Sequence, residues 1–156
     1  MVKGFVVLLA LALTMQAKAQ DLPSKPYLDL AAVKTMVAAS EAKAKELKVS
    51  VSICVVDESG NLIFFELGQG SPLNTIQFAQ KKARHAAFYG SPSKDGQDAA
   101  KKGAIEVLAF PEFFPNQGGV PVKVGDHILG GISASGAKSE IDEQIAQAGA
   151  DALLKK

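Results

Sequence analysis

The stretch that decides the fold is VSVSICVVDESGNLIFFELG, residues Val49 to Gly68. In its first half, apolar residues alternate with Ser and Cys at every second position, which is the period of a strand with one face more buried than the other. Residues 57–61, DESGN, have the composition of a turn, and an apolar, aromatic run resumes at Leu62. The stretch therefore predicts a β-hairpin.

Helical patterns precede and follow this hairpin. Residues 27–48 space their apolar side chains by three, four and seven, which predicts an amphipathic helix with Asp29 as its N-cap. A second helix is predicted over residues 74–89, because Gly90 and Pro92 follow it in the usual order of helix-ending signals. Residues 91–102 indicate a loop or a short helix, and residues 139–154 a last helix with an apolar stripe.

More strands are predicted between the second and last helices. The run IEVLAFPEFF, residues 105–114, can form an irregular strand that Pro111 ends or displaces to an edge. The runs VPVKV, residues 120–124, and HILGGISASG, residues 127–136, flank a Gly-Asp turn and suggest a second hairpin. Hairpin-linked strands covered by helices indicate an α+β domain with an antiparallel sheet.

The N-terminus has the pattern of a secretory signal peptide over residues 1–19, with Lys3, an apolar run and a small-x-small site at Ala17 and Ala19. The alternative, a membrane anchor, is disfavoured because a spanning helix needs about 20 apolar residues. Residues 20–156 are then one domain with a formal charge of −1, since Lys3 and Lys18 are lost from the 17 basic residues that face 16 acidic ones. Such a balance argues against nucleic-acid binding.

The chain has one cysteine and two histidines. Cys54 lies within an apolar run, which predicts a buried and inert thiol, with an intermolecular bridge or a metal thiolate as the alternative. His85 lies on the second helix among small residues. There, Phe78, Lys82, His85 and Tyr89 recur at four, three and four, which predicts an aromatic and basic stripe opposite an alanine face.

This stripe suggests a haem site. A neutral imidazole coordinates iron beside aromatic walls, so His85 is the candidate axial and metal ligand, with Phe78 and Tyr89 as walls. Lys82 and Arg84 are candidate partners for the haem propionates. The alternative is that His85 is an exposed or interface residue without a ligand, and spacing alone leaves both readings open.

Two long segments also match a known family. Residues 55–88 contain the run Val-Asp-x-x-Gly-x-Leu, then Pro-Leu and Lys-Ala-x-x-Ala-x-Phe; residues 118–153 contain Gly-Gly-x-Pro, Gly-x-x-x-Ser-Gly and Asp-x-x-Ile-Ala-x-x-Gly. In order and spacing, these motifs resemble the GlcG/HbpS family of haem-binding and proposed haem-degrading proteins, over residues 30–153. The chain departs from the family at His85, where members often have threonine or another small residue.

The resemblance implies a profilin-like three-layer α/β/α fold with a five-stranded antiparallel sheet. It also implies homo-oligomers, dimers or larger, with haem near subunit contacts. The first functional hypothesis is therefore a periplasmic or secreted haem-binding protein. The alternatives are a haem-degrading enzyme, and an accessory oligomer that binds a small organic ligand or corrinoid, or no cofactor.

Overall fold

The structure, a computed structural model, describes residues 24–154, so the predicted signal peptide lies outside the described residues. Within these residues, four α-helices and four strands follow one another, with one short 3-10 helix between α3 and β3. The bounds are α1 (Leu30–Glu46), β1 (Ser52–Asp57), β2 (Leu62–Glu66), α2 (Thr75–Tyr89), α3 (Ser93–Lys101), the 3-10 helix (Ile105–Ala109), β3 (Gly119–Val124), β4 (His127–Ser135) and α4 (Ser139–Leu154).

Both predicted hairpins are confirmed. Strands β1 and β2 pair antiparallel, and the Asp57 carboxylate closes their turn by accepting the backbone N–H groups of Ser59 at 2.9 Å and Asn61 at 2.8 Å. Strands β3 and β4 also pair antiparallel, and β4 pairs with β1. The result is one four-stranded sheet in the order β2-β1-β4-β3.

The expectation that β1 has one face more buried than the other is wrong, because helices cover both faces of the sheet. On one face, Ile53 and Val55 belong to the main core, which also contains the buried side chains of α1 and α4. On the other face, Cys54 and Val56 pack with the alanines of α2. The sheet is thus the middle of three layers. The prediction of a buried Cys54 is confirmed, and burial raises the pKa of its thiol to about 12.

The fifth strand is not present in the part of the chain that the structure describes. Residues 105–109 form a 3-10 helix, and Glu112 has a φ of 56° after Pro111. Proline cannot donate to a strand ladder, and a positive φ interrupts extended backbone, so the run cannot continue as a strand through Pro111 and Glu112. The segment before it, left open as loop or helix, is helix α3.

Glycines allow α2 to pack directly on the sheet. A Cβ atom at Gly119 would collide with the carbonyl oxygen of Lys82, and one at Gly131 with that of Ala83. Glycine at these two strand positions therefore permits a close approach of backbone to backbone. It fixes the distance of α2 from β3 and β4, and so the positions of the polar side chains on that helix.

Helix α1 begins as predicted. Asp29 is its N-cap and accepts the backbone N–H of Ala32 at 2.7 Å. Leu30, expected on the apolar stripe, is instead 59% exposed.

Within residues 24–154, no helix combines the length and the apolar character that crossing a membrane requires.

Candidate functional site

The expectation of an outward aromatic and basic stripe on α2 is wrong. Lys82 is only 2% exposed and His85 only 1%. Helix α2 has the sheet on one side, while α3 and the residues around Phe113 cover part of the other side. The side chains of the stripe consequently face different surroundings, and they do not form a single surface.

Lys82 forms a buried ion pair with Asp142 at the start of α4. Its ammonium Nζ lies 2.9 Å from Asp142 Oδ2 and 3.2 Å from the carbonyl oxygen of Ala134. The pair joins helices that lie on opposite faces of the sheet. Lys82 is therefore engaged within the protein, and the structure does not place it where it could meet a propionate.

Burial dominates the electrostatics of this pair. It lowers the pKa of the Lys82 amine, against the opposing effect of the Asp142 charge. It raises the pKa of the Asp142 carboxyl, although Lys82 and the Ala137 amide favour the carboxylate. The sequence analysis does not identify this pair, because helical spacing does not show which side chains meet across 60 residues of sequence.

Arg84 also points away from the histidine. Its Nε donates to the carbonyl oxygen of Gly60 at 3.1 Å, in the turn between β1 and β2. His85 contacts a different part of the fold, at α3 and the segment before β3. The structure thus separates the two candidate propionate partners, Lys82 and Arg84, from the imidazole.

His85 lies in an aromatic cluster. Its ring centroid is 4.9 Å from that of Tyr89 and 5.0 Å from that of Phe113. Its Nδ1 accepts the backbone N–H of Phe114 at 3.0 Å. On the α3 side, a Cβ atom at Gly96 would lie 2.8 Å from His85 Cε1, so only glycine lets this helix pack against the imidazole without displacement.

The imidazole is neutral in this environment. Desolvation by burial lowers the pKa of His85 to about 4, partly opposed by the charge of Asp95. Since Nδ1 accepts a hydrogen bond, the single proton of the neutral ring is on Nε2. A neutral imidazole is the form that coordinates metals.

The remaining aromatic candidates lie next to this cluster. The Tyr89 hydroxyl donates to the carbonyl oxygen of Pro111 at 2.6 Å. Phe78 is 38% exposed, and its ring centroid lies 5.9 Å from that of Phe114. The Lys81 Nζ lies 5.6 Å from the same Phe114 ring. Of the predicted site residues, the structure therefore brings His85, Tyr89 and Phe78 into one neighbourhood.

The space that Phe113 and Phe114 themselves line is small. A cavity of about 130 Å³ is lined by Lys81, Glu112, Phe113 and Phe114. A wider groove of about 580 Å³ lies between α1 and α4, on the other face of the sheet from His85. Among residues 24–154, no group of three or more His, Cys, Asp and Glu side chains could hold a metal ion.

Known proteins share this sequence pattern and fold. Residues 28–151 match the family model described as haem degrading protein HbpS-like. Protein GlcG of Escherichia coli K12 is 29% identical over 112 residues, which are 72% of this chain and 84% of GlcG. A doubly substituted HbpS of Streptomyces reticuli superposes with a TM-score of 0.76 at 26% identity, covering 95% of this chain and 97% of that one.

A further solved structure is PduOC in complex with haem, with a TM-score of 0.73 and 23% identity, covering 81% of this chain and 95% of PduOC. At that identity the likeness concerns the fold alone. The family model, in contrast, spans most of the sequence and includes α2, β4 and most of α4. The chain therefore belongs to the HbpS-like family.

Proposed function

We propose that this protein binds haem, with His85 as the axial ligand of the iron. The observation that carries the proposal is a buried, neutral imidazole inside an aromatic cluster, in a chain whose family is described as haem degrading. Neutral imidazole next to apolar and aromatic walls is the donor that haem iron commonly has in proteins. The chemistry of the donor set therefore fits the group.

The neighbouring residues have distinct roles in this proposal. Tyr89 and Phe78 remain candidate walls, and Phe113 and Phe114 extend them. Lys82 and Arg84 suit the propionate role poorly because each already has partners inside the fold. Lys81, which is exposed and lies beside the Phe114 ring, is the better candidate for a propionate.

The test is a titration of haemin into the purified protein, followed by its visible spectrum. His127→Ala is the matched control for His85→Ala, since His127 is the other histidine of the chain and is exposed. We expect saturable binding with a shifted Soret band that His85→Ala abolishes and His127→Ala retains. Binding that His85→Ala leaves unchanged would place the iron ligand elsewhere.

Haem degradation is a second candidate function, favoured by the description of the family. Bound haem would supply an iron centre for oxygen chemistry, for which a reductant is also needed. The test is loss of the haem spectrum with ascorbate and oxygen in the loaded protein. Haem that stays intact would leave binding as the function. If haemin does not bind saturably, the accessory-oligomer hypothesis, with a small organic ligand or corrinoid, becomes the better one.

We also propose secretion and self-association. Cleavage after residue 19 would leave a chain that begins at Gln20, and mass spectrometry of protein exported by a bacterial host tests it.

Exposed apolar side chains such as Phe88, 54% exposed, and Phe110, 52% exposed, suit a contact between copies. Light scattering of the eluted protein distinguishes a monomer from a dimer or larger assembly.

A further inference from the structure

We infer that residues 105–114 form a lid that closes over His85 and must open before a ligand reaches either imidazole nitrogen. This lid is the segment expected to be a strand. Only the identity of the ligand, haem, rests on the proposed function. The lid itself follows from the contacts of His85 and from the way in which the segment is attached to the protein.

The closed arrangement offers no free lone pair on His85. The Nδ1 lone pair accepts the Phe114 N–H at 3.0 Å, and the proton of the neutral ring occupies Nε2. The residue is also only 1% exposed. A bond from Nδ1 to iron therefore requires that the hydrogen bond from Phe114 break. A bond from Nε2 requires that its proton move to Nδ1, where it would meet the same Phe114 N–H, so this bond also requires the lid to move.

The space next to His85 leads to the same conclusion. Pockets for small organic ligands usually have volumes of about 300–1,000 Å³. The cavity beside Phe113 and Phe114 measures about 130 Å³, and the Phe113 ring packs against His85. The donor chemistry of this site thus fits haem but the closed space does not. Movement of the two phenylalanines away from α2 would remove both obstacles together.

The lid is weakly attached. None of its residues is buried, although it contains large apolar side chains. Two hydrogen bonds hold it to α2: the one from Phe114 to His85, and the one from the Tyr89 hydroxyl to the Pro111 carbonyl oxygen at 2.6 Å. Gly103, just before the lid, has a φ of 92° and open space around it. Segments with few buried contacts open at low free-energy cost.

The lid can be tested without haem by diethyl pyrocarbonate, which acylates neutral imidazole nitrogens. Mass spectrometry then gives separate modification rates for buried His85 and exposed His127, the internal control. We expect slow modification of His85 in the wild-type protein. Tyr89→Phe removes one lid hydrogen bond and keeps the ring, so His85 should react about fivefold faster while His127 is unchanged. Phe113→Ala should increase the His85 rate further.

The same variants are then mixed rapidly with haemin. Faster haemin association in Tyr89→Phe, by about fivefold, supports the lid as the gate of the site. Wild-type His85 that reacts as fast as His127, or a slow rate that neither variant raises, overturns the lid. If the labelling rates change as expected but haemin does not bind, the lid stands and the proposed function fails. If haemin binds at an unchanged rate, the lid does not control access to the site.

Discussion

The buried ion pair between Lys82 and Asp142 gives the sharpest test of how this fold is held together. Replacing Lys82 with methionine keeps most of the side-chain volume but leaves the Asp142 carboxylate, 2% exposed, without its counter-charge. Removing one partner of a buried pair typically costs about 3–5 kcal/mol of unfolding free energy. We expect a loss in that range, because Lys82 also donates to the Ala134 carbonyl oxygen.

The loss should depend on pH with a definite sign. Burial already raises the pKa of Asp142 above its usual range, and Lys82 opposes that rise. In Lys82→Met the opposition is gone, so the pKa rises further. A carboxyl whose pKa is raised by folding contributes stability below its unfolded pKa, about 4, and loses it as the pH rises through the folded value. The variant should therefore be less destabilised at about pH 5 than at about pH 8.

Urea unfolding followed by far-ultraviolet circular dichroism measures these free energies. Lys81→Met is the matched control, since Lys81 is the exposed neighbour on the same helix, and it should change stability by less than about 0.5 kcal/mol. Adding Asp142→Asn to Lys82→Met should recover part of the loss, because no uncompensated charge stays buried. A loss below about 1 kcal/mol, or one that is equal at both pH values, would refute the reasoning.

Three further predictions concern packing, capping and the thiol. Gly131→Ala should destabilise the fold by more than about 1 kcal/mol in the urea assay, because the new Cβ meets the backbone of Ala83. The control is Gly125→Asn, which should have little effect because Gly125 lies in an open turn with a positive φ that asparagine tolerates. Asp29→Ala should cost about 1 kcal/mol through loss of the N-cap, and Asp29→Ser should retain most of it; equal losses would contradict the capping role. Cys54, with a pKa of about 12, should resist a thiol reagent until urea unfolds the protein, and rapid labelling of the native state would contradict its burial.

Local patterns predicted the secondary structure well where a segment is long and its signals agree. The strand β1, the turn at residues 57–61 and the cap at Asp29 are all present in the structure. The run at residues 105–114 was misread because its composition favours a strand, whereas Pro111 and the positive φ of Glu112 prevent extended pairing. The five-stranded expectation is accordingly replaced by four strands.

The candidate site was predicted only in part. The sequence predicts His85 as a site residue because it is a lone histidine among small residues, and the structure places it in an aromatic cluster. Its burial could not be anticipated, because the covering side chains of Phe113 and Phe114 come from a segment far along the chain. Helical spacing likewise grouped Lys82 with His85, although the two side chains have unrelated partners in the fold.

By itself, the sequence determined the α+β class, the two hairpins, the main helix boundaries and the family. These features depend on local periodicity, on turn and capping residues, and on motifs in a fixed order. Only the tertiary structure decided that Lys82 pairs with Asp142, 60 residues away, and that residues 105–114 cover His85. The physical reason is that burial and ion pairing depend on which distant segments meet, and helical spacing carries no information about those partners.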